Sequence, residues 1–141
     1  MKRLKKRYKF FFKRKLLLHW DEYGSYEFGI YLYDLKEQLI GYLSLYKQRM
    51  QNAYINYSHL NSKYRNRGLG KLIYIEAINH AFFYGYKKII SKGEHRNGKS
   101  NKIWLSLYHD FPDSLTFKCS GSNGGYIDWI VIKPLVKKKR K

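Results

Sequence analysis

The stretch Tyr64-Arg65-Asn66-Arg67-Gly68-Leu69-Gly70-Lys71-Leu72 lies where the pattern of the chain changes from that of strands to that of a helix. Its two glycines permit a tight turn because neither carries a Cβ atom. Successive N–H groups of such a turn can face one anion, and the positive end of the following helix dipole adds to the attraction. Arg65, Arg67 and Lys71 contribute formal positive charge. The stretch therefore predicts a cradle for a phosphate or pyrophosphate group, with a basic surface turn before a helix as the alternative.

Alternating apolar residues on the N-terminal side of this turn are typical of strands. The predicted strands cover residues 9–20, 26–33, 39–46 and 53–60. From Leu69 to Phe82 the apolar residues recur at helical spacing, and Gly85 suits the position just beyond a helix. Further along we predict a strand at 87–91, a polar loop at 93–100, a short helix at 101–109, and strands at 115–119 and 126–132. This order predicts one α/β domain over residues 1–141 with a mixed sheet.

The net charge of +19 is concentrated at the two ends of the chain. Residues 2–15 carry nine Lys or Arg and residues 133–141 carry six, and neither segment contains an acid. We therefore predict basic arms at 1–15 and 133–141 that bind a polyanion such as DNA, RNA or a ribosome. The alternative is a pair of solvated arms that aid solubility.

Several classes of protein are disfavoured by composition. The single cysteine, Cys119, allows no internal disulfide and is expected to be a buried small apolar residue. The five histidines show no zinc-ligand spacing, so we expect no metal site. No apolar run approaches the roughly 20 residues that span a bilayer, and the basic start of the chain is not typical of a signal peptide. We expect no membrane partner and a reducing, cytoplasmic location; the oligomeric state stays open.

Two motifs resemble the GNAT superfamily of acyl-CoA-dependent N-acyltransferases. Arg65-x-x-Gly68-x-Gly70 is similar to the acyl-CoA-binding signature of that family. Asn101-x-x-Trp104-x-x-Leu107-Tyr108 resembles its Asn-x-x-Ala-x-x-Leu-Tyr helix, with Trp104 in place of a small residue and without the Gly-Phe that usually follows. The resemblance covers roughly residues 26–132. It implies a mostly antiparallel central sheet flanked by helices, with strands splayed around the acyl-CoA site.

The resemblance also implies which residues hold the co-substrate, acetyl-CoA or another acyl-CoA. The turn would bind the pyrophosphate through its N–H groups, and the backbone near the end of the strand at 53–60 would pair with the pantetheine amides. The implied cofactor-binding residues are Ser58, His59, Leu60, Arg65, Asn66, Arg67, Gly68, Leu69, Gly70, Lys71 and Asn101.

The implied reaction is transfer of an acetyl group from acetyl-CoA to an amine. Tyr108 is the candidate for protonating the departing thiolate, because a phenol and a thiolate have comparable basicity; a packing aromatic is the alternative. The strand at 53–60 contains no Asp or Glu, so His59 is the first candidate for the base. Asp128, Glu27 or a water chain are the others.

The basic arms suggest an acceptor that is, or is carried by, a polyanion, such as nucleic acid or a nucleic-acid-associated protein. The alternative function is that of a catalytically inactive, GNAT-like nucleic-acid-binding protein. Tyrosines such as Tyr42 and Tyr46 would then stack on bases.

Overall fold

The computed structural model describes residues 4–12, 16–23, 27–65 and 68–136. Within them the chain forms one eight-stranded sheet and two α-helices. The elements are β1 (Leu4–Phe12), β2 (Leu16–Tyr23), β3 (Glu27–Asp34), β4 (Leu39–Lys47), β5 (Asn52–Leu60), α1 (Leu69–Phe83), β6 (Lys88–Ser91), α2 (Gly98–Asp110), β7 (Leu115–Ser120) and β8 (Tyr126–Val131). The strand order is β1-β2-β3-β4-β5-β6-β8-β7, and only β5 and β6 pair in parallel. The predicted mixed, mostly antiparallel α/β sheet is confirmed.

The largest departures from the predicted boundaries are at two places. The single strand predicted at 9–20 is wrong, because β1 and β2 are separate antiparallel strands with Phe12 opposite Leu16. Residues 4–12 of the predicted N-terminal basic arm thus lie in the sheet. The second helix begins at Gly98, three residues before the prediction, because the side chain of Asn97 caps it by accepting a hydrogen bond from the Ser100 N–H at 2.9 Å.

Helix α1 covers one face of the central strands. Ile30 of β3 and Leu43 of β4 lie opposite each other and are fully buried, together with Ala77 and Ile78 of α1. The helix ends as predicted, with Gly85 in the left-handed conformation just beyond it (φ +98°). This packing fixes the start of α1 against the ends of β4 and β5, where the glycine turn lies.

The opposite face of β3, β4 and β5 is aromatic, because side chains alternate between the two faces along a strand. Tyr31, Tyr42 and His59 follow one another across the three strands, with ring centroids 5.9 Å apart at each step. Tyr46 and Tyr54 form a second pair at 5.6 Å. We call these five residues the tyrosine face.

Strand β5 has two halves that differ in their partners. Residues 52–54, the closed half, pair with β4 on one side and with β6 on the other. The register with β4 then shifts, so that Leu45 faces Ile55 and Ser44 faces Tyr57, which leaves Asn56 in a bulge. Residues 57–60, the open half, pair with β4 and with no other strand in the part of the chain that the structure describes. The sheet therefore opens between β5 and β6 beyond the bulge.

The C-terminal part of the described chain returns to α1. Asn79 donates a side-chain hydrogen bond to the Leu135 carbonyl at 3.0 Å and accepts one from the Leu135 N–H at 2.7 Å. Cys119 is exposed on β7, so its predicted burial is wrong; β7 is the last strand of the sheet, and most of its side chains face solvent. Neither helix of the described chain is long and apolar enough to cross a membrane.

Candidate active site

The opening of the sheet forms one wall of a cleft of about 1100 Å³. The open half of β5, the start of α1 and the first turns of α2 enclose it. The cleft exists because β6 ends at Ser91, while β5 continues past the bulge to Leu60 with no other strand of the described chain on that side. Its lining combines the glycine turn with polar and basic side chains, a composition that favours an anionic ligand.

The glycine turn lies at one end of the cleft, as predicted. Gly68 precedes α1 in the left-handed conformation (φ +77°), which a residue with a Cβ atom adopts only with strain. A Cβ atom on Gly70 would lie 3.3 Å from Cδ1 of Ile103 on α2, so a larger residue would press on that helix. Both glycines line the cleft, whereas the side chain of Leu69 is buried in the core. Asn66 and Arg67 lie outside the described residues.

The predicted cations of the turn take part in local contacts. The guanidinium of Arg65 donates from Nε to the Leu60 carbonyl at 3.0 Å, which holds the turn against the end of β5. Lys71 forms an ion pair with Asp110 at the end of α2. The hydrogen bond from Lys71, with a second from His109, lowers the pKa of Asp110 to about 2. Both cations also line the cleft. The carbonyl of Leu60, which was predicted to help bind the co-substrate, already accepts the hydrogen bond from Arg65.

Two lysines at the start of α2, Lys99 and Lys102, add positive charge to the cleft and were missed in the sequence analysis. Lys99 was missed because residues 93–100 are typical of a polar loop, and Lys102 because no local pattern places the start of the second helix beside the glycine turn. Asn97 with Ser100 three residues later is the sequence signal that could have placed the helix start. Asn101, predicted to hold the co-substrate, is exposed outside the cleft lining and accepts a hydrogen bond from Arg96 Nε at 2.8 Å.

The structure separates the two predicted catalytic residues. His59 lines the cleft from the open half of β5, with its ring exposed beside Tyr42. Tyr108 is not among the residues that line the cleft. Its half-buried ring packs edge-on against Trp129 at 5.3 Å and tilted against Phe117 at 6.0 Å. The position of Tyr108 is thus that of a packing aromatic in this structure.

The further candidates for the base also lie outside the cleft lining. Burial alone would raise the pKa of Asp128, but the Gly93 N–H, the Lys92 ammonium and the Ser120 hydroxyl outweigh it and lower the pKa to about 2. This fully buried carboxylate ties β8 to the end of β6. Glu27 lies at the start of β3, opposite Tyr46.

A chain of three hydroxyl groups lies in the cleft wall and was not recognised from sequence. The Tyr74 hydroxyl lies 2.9 Å from Ser58 Oγ and donates to Ser100 Oγ at 3.4 Å. These residues come from α1, β5 and α2, and all three line the cleft. The only sequence signal was a tyrosine within the apolar stripe of α1. Among the described residues, no group of three His, Cys, Asp or Glu side chains could hold a metal ion.

Comparison with known families agrees with this geometry. The model of the acetyltransferase (GNAT) family matches residues 2–111. This is most of the chain, so the protein belongs to the GNAT acetyltransferase family, and the resemblance found in Arg65-x-x-Gly68-x-Gly70 is confirmed. None of the curated proteins compared with the chain matches it.

Solved structures share the fold at low sequence identity. A GNAT-family acetyltransferase from Staphylococcus aureus Mu50 has a TM-score of 0.57 at 10% identity, over 76% of this chain and 68% of that chain. The PaiA N-acetyltransferase from Thermoplasma acidophilum, in complex with coenzyme A, has a TM-score of 0.57 at 15% identity, over 77% and 62%. A phosphinothricin acetyltransferase from Sinorhizobium meliloti, in complex with AcCoA, has a TM-score of 0.51 at 19% identity, over 77% and 61%. The Thermoplasma acidophilum structure thus contains coenzyme A, and the Sinorhizobium meliloti structure contains AcCoA, the expected co-substrate.

Proposed function

We propose that this protein transfers an acetyl group from acetyl-CoA to an amine. The observation that carries the proposal is the position of the glycine turn at the end of the cleft that the split sheet opens. The exposed N–H groups at the start of α1 would hold the pyrophosphate, since the left-handed Gly68 turns the backbone toward the cleft without a side chain in the way. Arg65, Lys99 and Lys102 would add positive charge along the same wall.

The pantetheine arm would lie along the open half of β5, where strand edges lack the partner that β6 provides elsewhere. The amine nitrogen would then attack the thioester carbonyl carbon, and the carbon–sulfur bond would break with its electron pair passing to sulfur. His59 is the candidate for accepting the proton of the amine, because its imidazole lines the cleft and remains open to solvent. Holding both reactants in one cleft supplies much of the rate enhancement by proximity.

The test is binding followed by turnover. Isothermal titration calorimetry should detect acetyl-CoA binding, and thiol release should be measured with a panel of amines that includes spermidine, phosphinothricin, amino acids and a lysine peptide. No binding at millimolar acetyl-CoA would refute the proposal. Binding without thiol release from any amine would favour the second candidate below.

The second candidate is a nucleic-acid-binding protein that retains the fold without catalysis. It is favoured by the tyrosine face, whose rings could stack on bases, together with the net charge of +19. The same surface would suit an acceptor that is bound to nucleic acid. Removal of residues 137–141 should then flatten the salt dependence of RNA binding, and Tyr42→Ala should weaken binding with the salt dependence unchanged. Unaltered RNA affinity in both variants would exclude this role.

A further inference from the structure

We propose that Arg96 is a positioning residue of the cleft, because its guanidinium fixes the segment that leads from β6 to α2. We call residues 92–97 the connecting segment; it follows Ser91, the last residue of β6, and ends at Asn97, which caps α2. The inference rests on the proposed function, because the ligand whose binding it affects is acetyl-CoA. Arg96 itself is not among the residues that line the cleft, so it acts through the cleft wall.

The first step is the set of hydrogen bonds that Arg96 makes. Its Nη1 donates to the Ser91 carbonyl at 2.8 Å and to Ser91 Oγ at 3.2 Å, and its Nη2 donates to the Ile127 carbonyl. Its Nε donates to Asn101 Oδ1 at 2.8 Å. One planar group thus joins the end of β6, strand β8 and the first turn of α2.

The second step is the path of the connecting segment, which stays beside β8. The Gly93 N–H donates to Asp128 Oδ1 at 2.9 Å, and the Lys92 ammonium donates to Asp128 Oδ2 at 2.8 Å. A Cβ atom on Gly93 would lie 2.6 Å from the Ile127 carbonyl oxygen, so the backbones of the segment and of β8 are in direct contact there. The pairing of β5 with β6, by contrast, ends at Tyr54. The connecting segment therefore follows β8 and leaves β5 where the cleft begins.

The third step is what the connecting segment determines in the cleft wall. Asn97 accepts the hydrogen bond of the Ser100 N–H, so the position of Asn97 fixes the first turn of α2. Both residues line the cleft, together with Lys99. The hydrogen bond from Arg96 to Asn101 is a second tie to the same turn. Arg96 thus fixes where these side chains stand relative to the open half of β5.

The fourth step is the chemistry of the guanidinium group. Its donors are held in one plane at fixed angles, so it can bind carbonyl groups on two strands and an amide side chain on a helix at once. An ammonium group on a flexible stem cannot hold these partners in one fixed geometry. When such a tie is lost, ligand binding has to supply the ordering of the cleft wall, and this lowers affinity.

The test compares Arg96→Ala and Arg96→Lys with the matched pair Arg49→Ala and Arg49→Lys, on the exposed connection between β4 and β5. Arg96→Ala should raise the Kd for acetyl-CoA by on the order of tenfold, because hydrogen bonds from a charged group are lost. Arg96→Lys should recover only part of the affinity. With an amine substrate, KM for acetyl-CoA should rise while kcat stays within a few-fold, since the reacting groups are unchanged. Both Arg49 variants should behave as the wild type does.

A further measurement needs no ligand and separates position from overall stability. Amide hydrogen exchange at Ser100 and Asn101 should become faster in Arg96→Ala, because these amides belong to the turn that Arg96 ties down. Their loss of protection should exceed that of Ala77 and Ile78 in the core of α1. Arg96→Lys provides the same comparison if Arg96→Ala does not fold.

The outcomes separate the hypotheses. If Arg96→Ala binds acetyl-CoA as the wild type does, or if protection falls equally in both helices, Arg96 supports only general stability and the inference is overturned. If Arg96→Lys matches the wild type in affinity and exchange, positive charge alone suffices, and the positioning role is overturned as well. If the wild type does not bind acetyl-CoA, the proposed function fails. Hydrogen exchange then decides whether Arg96 sets the start of α2: a local loss of protection supports it, and unchanged exchange overturns it.

Discussion

The closed and open halves of β5 belong to one strand, yet they have opposite surroundings. Ala53 in the closed half is fully buried and lies between Lys47 of β4 and Ile89 of β6. Ser58 in the open half is exposed to the cleft, with β4 on one side and none of the described strands on the other. A bulge at Asn56 separates them. The first half is packed as part of the core, and the second half is the one that we propose supplies binding groups, so substitutions in the two regions should have separable effects.

The largest effect is expected from Gly70→Glu in the glycine turn, which lies next to the open half of β5. The new side chain would press on Ile103 of α2 and place a negative charge in the proposed phosphate cradle, where like charges repel, so affinity for acetyl-CoA should fall at least about hundredfold. Calorimetric titration measures it. Phe83→Glu adds the same charge to the exposed far end of α1 and should bind normally. Equal affinity in the two variants would mean that the turn does not hold the ligand.

The corresponding substitution on the other side of the comparison is Ile89→Ala in β6, which pairs with the closed half of β5. Ile89 is fully buried between Ala53 and Val131, so its truncation should lower the free energy of unfolding by about 2–5 kcal/mol. Urea denaturation measures this change. The folded variant should bind acetyl-CoA with unchanged affinity, and Ile132→Ala, at an exposed position, should cost far less. A large loss of affinity in Ile89→Ala would show that the two halves are not separable.

A smaller effect concerns the pH dependence at the end of β6. Because folding lowers the pKa of Asp128 from 3.8 to about 2, its ionised form contributes stability above pH 4, and this contribution is lost as the pH falls toward 2. The contribution is about 2 kcal/mol. Asp128→Asn should therefore show a shallower loss of unfolding free energy between pH 5 and pH 2 in urea titrations. Asp110 titrates in the same range in both proteins and cancels in the difference. Parallel curves would mean that Asp128 has no such role.

The smallest effect is expected from Lys99→Ala at the mouth of the cleft. Lys99 is exposed, so its attraction to a phosphate is weakened by solvent and salt. Affinity for acetyl-CoA should fall about two- to fivefold at low ionic strength, and the difference should vanish at 1 M salt. Lys36→Ala, on the exposed β3–β4 turn, is the matched control and should show no change. A salt-independent loss would indicate a structural effect on α2.

The parts of this molecule that the sequence predicts are those determined by neighbouring residues. The glycine turn and α1 follow from the spacing of Gly68, Gly70 and the apolar stripe, all within about twenty residues. The hydroxyl chain of Tyr74 could not be predicted because its partners lie 16 and 26 residues away and meet it only after folding.

Long-range contacts also determine the surroundings of two other residues. The orientation of Tyr108 is determined by Trp129 and Phe117, which come from β8 and β7. The exposure of Cys119 follows from the place of β7 at the end of the strand order, which no local pattern specifies. Long-range pairing therefore determined which of the predicted residues line the cleft.

The strand order also has a consequence for how the chain acquires its structure. Strands β1 to β5 pair with their neighbours in chain order, as a meander whose contacts are short-range in sequence. The parallel pairing of β5 with β6, and the insertion of β8 between β6 and β7, bring together segments that are far apart in the sequence. These pairings form more slowly, because closing a longer loop costs more chain entropy. During synthesis the meander can assemble while the rest is still being made. The cleft, which requires α2, is then completed only after the meander has formed.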